Sequence, residues 1–225
     1  TFISNGLNCD LVVVVAKTAP EAGGKGVSLL LVEADRPGFR KGRKLEKMGQ
    51  EAGDTAELFF EDVRVPASNL LGEENKGMRY LMQELAQERF VIAVGAAAKM
   101  EAMYDETVRY TRERLVFGKP LIDFQNTRFK LAEMRTQIDV AQVFVDRCVM
   151  DHNQKKLTPE VAAEAKLFTT ELLGKVVDEG VQLHGGWGYM WEYPICKMYA
   201  NARIQRIFAG TSEIMKEIIS RGMKL

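Results

Sequence analysis

The pattern of apolar and polar positions changes near residue 72. Before this point, short apolar runs are separated by Gly, Pro, Asn and Asp, among them DLVVVVA, GVSLLLVEA and AELFFEDVRVP. Such runs predict β-strands. The run AELFFEDVRV alternates as a strand with one solvated face does, whereas VVVV and SLLLVEA predict more fully buried strands. We therefore assign residues 1–73 to part of a β domain.

After Gly72, apolar positions recur at intervals of three and four residues, which is typical of amphipathic helices. The first helix is predicted from near Asn75 to about Arg112, and the second from near Asp123. The buried stripe of the second helix is predicted to contain Thr127, Leu131, Met134, Ile138, Ala141, Val145 and Cys148. These patterns assign residues 74–225 to a helical domain.

A third helix is predicted to begin with Thr158 as its N-cap and Pro159 in its first position, and to end at the glycines after His184. Its predicted stripe contains Val161, Ala165, Phe168, Leu172 and Val176. A short helix over 193–202 and a last helix from Thr211 complete the set. The predicted fold is α+β, a partial β domain followed by an antiparallel four-helix bundle.

The amino-acid composition argues against several classes of function. The chain of 225 residues has 31 Lys and Arg against 31 Asp and Glu, so its formal charge of zero argues against a general affinity for nucleic acid. The three cysteines are far apart in sequence and fit a reducing compartment. No apolar run reaches the roughly 18 residues of a membrane span, and we predict neither a transmembrane segment nor a metal site.

Glu88 is the most unusual residue in the helical pattern. In LMQELAQERFVIAVGAAA, the spacing of Leu81, Leu85, Ile92 and Ala96 places Glu88 on the apolar stripe. A carboxylate on a buried face loses hydration, which raises its pKa toward the range of a general base. The same pattern also allows Glu88 to lie at the wetted edge of the stripe or to pair with an arginine.

Three other segments are candidates for anion binding. The run from Gln182 to Tyr189 places glycines at a helix end, where backbone amides can approach a nucleotide, although glycine also caps helices there. At the start of the last helix, the Thr211 hydroxyl and free amides could bind an anion or simply cap the helix. Arg114 lies near the C-terminal end of the first predicted helix and could bind a phosphate or remain solvated.

Taken together, these segments resemble the acyl-CoA dehydrogenase family over the whole chain. The resemblance is carried by FISN (2–5), GRKLEKMGQEAGDTAELFFEDVRVP (42–66), QER (87–89), RERLVFGKPLIDFQ (112–125), QLHGGWGYMWEYP (182–194) and FAGTSEIMKE (208–217). The last two are most similar to the long-chain branch. Members of this family have an N-terminal helical domain, a middle β domain and a C-terminal four-helix domain. The resemblance implies that this chain holds part of the second and all of the third.

The resemblance also implies a reaction and a base. In this family a carboxylate removes the α proton of an acyl-CoA thioester while hydride leaves the β carbon for FAD, which gives a trans-2-enoyl-CoA. Many members carry the base just before the Gly-Thr of the last helix, where this chain has Ala209. The long-chain and isovaleryl branches place it on the first long helix, at the position of Glu88. The family pattern therefore implies that Glu88 is the catalytic base.

Further site residues follow by position from the resemblance. Substrate contacts are implied for Arg89, Ala209 and Gly210. Contacts with FAD are implied for Phe2, Ser4, Arg114, Gln125, Gln182, Gly185, Gly186, Thr211 and Glu213. In this family some of these groups reach the flavin of a neighbouring subunit, which implies a homotetramer or homodimer.

The implied function is dehydrogenation of acyl-CoA, favouring longer chains, with electrons passed to electron-transfer flavoprotein in a bacterial cytoplasm or a mitochondrial matrix. Two alternatives remain open from the sequence. One is an acyl-CoA oxidase-like flavoenzyme, in which oxygen reaches the reduced flavin. The other is a non-catalytic oligomerising fragment, because the domain that the family places first is not part of these 225 residues.

Overall fold

A computed structural model describes residues 1–223 of the chain. These residues form two compact units, of which the first, Thr1–Glu84, is mainly β and the second, the described part of the chain from Leu85 onward, is mainly α. The predicted domain boundary at residues 73 and 74 stays a prediction. The first long helix begins shortly after it, at Gly77.

The first unit contains two small antiparallel sheets. One sheet has the order β1 (Ile3–Ser4), β5 (Thr55–Phe60), β4 (Phe39–Lys44), and the other has the order β2 (Leu11–Lys17), β3 (Val27–Glu33), β6 (Leu70–Leu71). Strands β2 and β3 pair along their whole length, from Leu11 opposite Glu33 to Lys17 opposite Val27. The runs DLVVVVA and GVSLLLVEA therefore contain strands β2 and β3, as predicted. The run AELFFEDVRVP is a strand only as far as Phe60, and its second half, residues 61–66, is not.

The predicted burial of VVVV is wrong. Strand β2 alternates, and its odd-numbered residues Leu11, Val13 and Val15 are exposed. Strand β2 lies at the edge of its sheet, whereas β3 pairs on both sides and is mostly buried, as its sequence predicts. Four consecutive valines carry no alternation, so the sequence could not show that one face of β2 remains open.

Five helices form most of the second unit: α1 (Gly77–Glu113), α2 (Gln125–Asn153), α3 (Pro159–His184), α4 (Pro194–Arg203) and α5 (Ser212–Gly222). A short hairpin of β7 (Leu115–Val116) and β8 (Lys119–Pro120) joins α1 to α2. The short connection 154–158 makes α2 and α3 antiparallel neighbours. This arrangement matches the predicted helical bundle.

The core of the second unit lies between α1, α2, α3 and α4. All seven residues predicted for the α2 stripe are buried. The α3 prediction is correct at its N-cap, where the Thr158 hydroxyl accepts a hydrogen bond from the backbone N–H of Val161 at 3.3 Å. It is wrong at Phe168, which is exposed because the buried row of α3 passes through Lys166, Thr169 and Leu173 instead.

We expect Ile138→Ala to lower the free energy of unfolding by about 3 kcal/mol, because truncating a buried aliphatic side chain leaves a cavity. Ile138 is buried in the main core cluster. Urea unfolding followed by circular dichroism measures the change. Glu133→Ala, at an exposed position on the same helix, is the control and is expected to change stability by less than about 0.5 kcal/mol. Equal losses in the two variants would contradict the assigned core.

Among the helices within residues 1–223, none combines the length and apolar character needed to cross a membrane. In that same part of the chain, His, Cys, Asp and Glu side chains do not form a group of three that could hold a metal ion.

Candidate functional site

A cavity of about 530 Å³ opens at the C-terminal end of α3. It brings together four residues that the sequence analysis singled out, Arg114, Gln182, Gly185 and Gly186, with apolar and aromatic side chains around them. Gln125 is not part of its lining and is exposed at the first position of α2. The two sequence segments that were separately proposed to bind anions, at 114 and at 182–186, therefore meet in one place.

The glycines at this cavity leave their backbone open to a ligand. Gly185 ends α3 with a φ of 59°, and its N–H donates to the carbonyl of Gln182. A Cβ added to Gly185 or Gly186 would meet nothing within 4 Å, whereas one added to Gly188 would lie 2.4 Å from the carbonyl oxygen of Val181. The first two glycines thus line open space, and the third allows tight packing of the turn.

Two backbone hydrogen bonds fix the position of Arg114 at the edge of the cavity. Its N–H donates to the carbonyl of Tyr110 at 2.9 Å, and its own carbonyl accepts from the N–H of Leu121 at 2.8 Å. The exposed guanidinium has no hydrogen-bond or ion-pair partner within residues 1–223, so it can supply charged donors to a ligand that the open amides of the glycine turn also contact. A cation together with open glycine backbone suits a phosphate or pyrophosphate group.

His184, which received no role from the sequence, supports the cavity from inside the bundle. Its ring is buried and stacks on Tyr110 with centroids 4.1 Å apart, while the Tyr110 hydroxyl donates to the His184 carbonyl at 3.0 Å. Burial lowers the pKa of His184. Its Nδ1 lies 2.7 Å from the Gly180 carbonyl oxygen, so a neutral imidazole with the proton on Nδ1 donates to that oxygen.

The predicted burial of Glu88 is wrong. Glu88 is exposed, and the face of α1 that packs into the bundle carries Phe90, Ala93, Ala97 and Met100. The residue that is buried beside it is Arg89, whose Nε has no hydrogen-bond partner within residues 1–223. Burial lowers the pKa of Arg89, and the charge of Glu88 opposes this effect. The carboxylate is therefore accessible from solvent and has a cation beside it.

A second group of predicted residues lies in the turn that leads into α5. Ala209 and Gly210 have φ values of 50° and 98°, so two consecutive residues adopt the left-handed region. Thr211 is the N-cap of α5, and its hydroxyl accepts from the N–H of Ile214 at 3.4 Å. Glu213 is exposed, and hydrogen bonds from its own backbone N–H and from the Thr211 hydroxyl lower the pKa of its carboxyl.

Lys166 contacts this turn from α3. It is fully buried, and its Nζ donates to the carbonyl oxygens of Gly210 at 2.7 Å and Gln205 at 3.2 Å. Burial lowers the pKa of Lys166, and so does the positive charge of Arg89. The residues next to these two cations, Ala165 and Phe90, pack in one buried cluster. The sequence pattern did not mark Lys166, because this residue lies off the apolar row predicted for α3.

In the first unit, the predicted flavin contacts lie at and beside strand β1. Phe2 is largely exposed with a φ of 62°, and Ser4 pairs with Thr55 on β5. The buried carboxylate of Asp54 fixes the turn after this strand by accepting from the N–H of Leu7 at 2.7 Å and from the side-chain amide of Asn8 at 2.8 Å. Asp54 is a supporting residue that the sequence analysis missed.

Comparison with known proteins identifies the class to which this fold and this site belong. The family model for the acyl-CoA dehydrogenase middle domain matches residues 1–63, and the model for the C-terminal domain of the same family matches residues 75–224. The chain belongs to the acyl-CoA dehydrogenase family. This confirms the resemblance and the fold class inferred from the sequence.

Several individual members and solved structures are similar to this chain over nearly its whole length. The mitochondrial long-chain specific acyl-CoA dehydrogenase of Mus musculus is 56% identical over 222 residues, covering 98% of this chain and 52% of the relative. The structure of acyl-CoA dehydrogenase from Geobacillus kaustophilus superposes with a TM-score of 0.98 at 49% identity, covering 100% of this chain and 60% of that one. A structure described as the electron transferring flavoprotein of Acidaminococcus fermentans has a TM-score of 0.94 at 38% identity, covering 99% of this chain and 58% of that one.

The chain thus spans about half the length of the long-chain relatives that it matches, 52% in the mouse protein. Members of the family are FAD-dependent oxidoreductases, so the enzyme class and the cofactor expected from the sequence are confirmed at the level of the family.

Proposed function

We propose that these residues are the middle and C-terminal part of an FAD-dependent enzyme that converts acyl-CoA thioesters, favouring long chains, to trans-2-enoyl-CoA. The observation that carries the proposal is the connection through Lys166. Its Nζ donates to the Gly210 carbonyl, in the turn where many family members carry their base. The preceding residue of α3, Ala165, shares a buried cluster with Phe90, two residues after Glu88 on α1. The two alternative positions for the base therefore belong to one neighbourhood of the structure.

Glu88 is the proposed catalytic base. The α C–H of a thioester is a weak acid, so the base must be aimed at it and free of competing water. In the structure Glu88 is exposed, which leaves it accessible to a substrate. We propose that the bound acyl chain, rather than the packing of α1, removes water from this carboxylate.

Ala209 has a methyl side chain that cannot accept a proton, so the turn itself supplies no base. We propose that this turn and Arg89 contact the acyl-CoA. Their role is to hold the thioester so that its α carbon faces Glu88, because proton transfer requires the reacting atoms at close to hydrogen-bonding distance.

The residues around the α3 cavity fit FAD. Arg114 and the open backbone at Gly185 and Gly186 offer the donors that a pyrophosphate requires, and Gln182 adds a polar side chain. When bound, FAD supplies the hydride acceptor of the reaction. Thr211 and Glu213 at the start of α5, Gln125, and Phe2 and Ser4 in the first unit remain proposed contacts for the same cofactor.

We expect Arg114→Met to raise the Kd for FAD by roughly 10- to 100-fold in the full-length enzyme, the range for one charge-assisted hydrogen bond. Fluorescence titration of the apoenzyme with FAD measures the affinity. Arg112→Met removes an exposed arginine that does not line the cavity and is the matched control. If both variants bind FAD as the parent does, the cavity is not the pyrophosphate site.

Several finer proposals rest on the relatives. The identity with the long-chain enzyme of Mus musculus supports long-chain substrates, and the similarity to the Acidaminococcus fermentans structure supports an electron-transfer flavoprotein as acceptor. The mitochondrial relatives and the bacterial ones support a mitochondrial matrix or a bacterial cytoplasm. Exposed apolar side chains on α2, such as Phe129, Val140 and Val143, support a homotetramer or homodimer.

The test of the proposed function is anaerobic reduction of the flavin. Palmitoyl-CoA should rapidly bleach the flavin absorbance of the full-length protein, and butyryl-CoA should do so more slowly. Re-oxidation by electron-transfer flavoprotein without oxygen uptake supports a dehydrogenase, whereas rapid oxygen uptake identifies an oxidase. A full-length protein that binds no FAD would refute both enzymatic functions.

A further inference from the structure

Lys166 occupies a buried position, where the charge of a lysine side chain destabilises the fold. Its side chain is fully buried within α3, although a buried ammonium loses hydration that its partners must replace. In the part of the chain that the structure describes, those partners are two backbone carbonyls, of Gly210 and Gln205, and Lys166 forms no ion pair with a carboxylate. A purely structural position of this size would be filled at lower cost by methionine or leucine.

The carbonyl of Gly210 belongs to a strained turn. Ala209 adopts a φ of 50°, which a residue with a Cβ rarely does, and Gly210 follows at 98°. Such a conformation persists only where the surroundings hold it. Here the Lys166 ammonium holds the carbonyl at 2.7 Å, and the Met215 side chain lies so close that a Cβ on Gly210 would be 2.7 Å from its Cε atom.

The charge of Lys166 is also placed beside the substrate contact proposed on α1. Ala165, the residue before Lys166, packs in one buried cluster with Phe90, the residue after Arg89. In keeping with this packing, the positive charge of Arg89 lowers the pKa of Lys166. Lys166 therefore contacts the last-helix turn directly and lies on the part of α3 that packs against the α1 segment.

We propose that Lys166 is a positioning residue for the acyl-CoA thioester, acting through its hydrogen bond to the Gly210 carbonyl. By holding the Ala209–Gly210 turn in its left-handed conformation, it sets the surface against which the thioester lies, and hence the distance between the α carbon and Glu88. This inference rests on the proposed function.

The test compares two buried positions of α3 in the full-length holoenzyme. Lys166→Met removes the ammonium but keeps an unbranched chain, and Leu173→Ala truncates a fully buried side chain of the main core cluster. Both variants should lower Tm. Lys166→Met should in addition lower kcat/KM for an acyl-CoA by roughly 10- to 100-fold, with part of the loss in kcat, because a small displacement of the reacting atoms is enough for this. Leu173→Ala should keep the parent kinetics.

A double-mutant cycle tests whether Lys166 acts through the turn. Gly210→Ala places a methyl group against Met215 and disturbs the same turn from the other side. If Lys166 acts through this turn, the double variant should lose little more activity than the worse single variant. Independent losses that multiply would overturn the proposal.

The outcomes separate this inference from the proposed function. A parent enzyme whose flavin is not reduced by any acyl-CoA refutes the function itself. An active parent, combined with Lys166→Met kinetics that match Leu173→Ala, refutes only the role of Lys166. If Lys166→Met does not accumulate in folded form, Lys166→Gln, which keeps a buried donor, takes its place: a selective loss of kcat/KM supports the assignment and parent kinetics contradict it.

Discussion

Replacing Glu88 with glutamine is expected to lower the rate of flavin reduction by about 10³- to 10⁴-fold in the full-length enzyme, the upper part of the range for loss of a general base. Glutamine keeps the size and polarity of the side chain but cannot accept the α proton. Because Glu88 is exposed on α1, the exchange should leave folding and flavin content unchanged. Stopped-flow absorbance after anaerobic mixing with palmitoyl-CoA measures the rate.

The matched control is Glu84→Gln. Glu84 is another exposed carboxylate, one helical turn earlier on α1, so this variant makes the same chemical change on the same helix. It should reduce flavin at the parent rate. If the two variants behave alike, the effect comes from the charge of α1 and Glu88 is not the base.

The second large effect is a gain of activity. Glu88→Gly should abolish turnover, and adding Ala209→Glu to that variant should restore the rate at least about tenfold, because a carboxylate would again lie within reach of the substrate. The turn already accommodates a residue with a Cβ at position 209 in the left-handed conformation, and Lys166 holds the Gly210 carbonyl. Rates of flavin reduction in the single and double variants measure the restoration.

Ala209→Gln in the Glu88→Gly background controls for size and polarity at the turn. It should remain inactive, since an amide cannot accept the proton. Equal restoration by glutamine and glutamate would show that Ala209→Glu acts by reshaping the pocket, and no restoration by glutamate would show that the two positions do not serve the same α carbon.

Long helices with a single apolar row could be predicted residue by residue. On α2 the row is narrow and polar residues flank it, so all seven predicted residues are buried. On α1 the segment AVGAAA is apolar on every side, and two adjacent rows compete. The predicted row passes through Leu85 and Ile92, whereas the row that packs passes through Phe90 and Ala93. Because successive residues of a helix are about 100° apart, the two rows lie on different sides of α1. That difference places Glu88 outside the core.

The part of the candidate site that is built by a glycine motif could be predicted from the sequence. A side chain whose hydrogen-bond partners are backbone groups far away in the sequence could not. Glycines at a helix end signalled the cavity at Gly185 and Gly186. Lys166 carries no such signal, because lysine is usually exposed and its acceptors are carbonyls 39 and 44 residues away in the sequence. Asp54 similarly binds backbone and side-chain donors 47 and 46 residues away.

The most direct test of Glu88 as the base follows the α proton itself. The full-length enzyme is incubated in D₂O with a 3-thia-acyl-CoA, whose β position is sulfur and cannot lose hydride, and deuterium at the α carbon is followed by NMR. The parent enzyme should exchange the α protons, and Glu88→Gln, with its FAD retained, should not. Exchange in Glu88→Gln at the parent rate would contradict the assignment of Glu88 as the base.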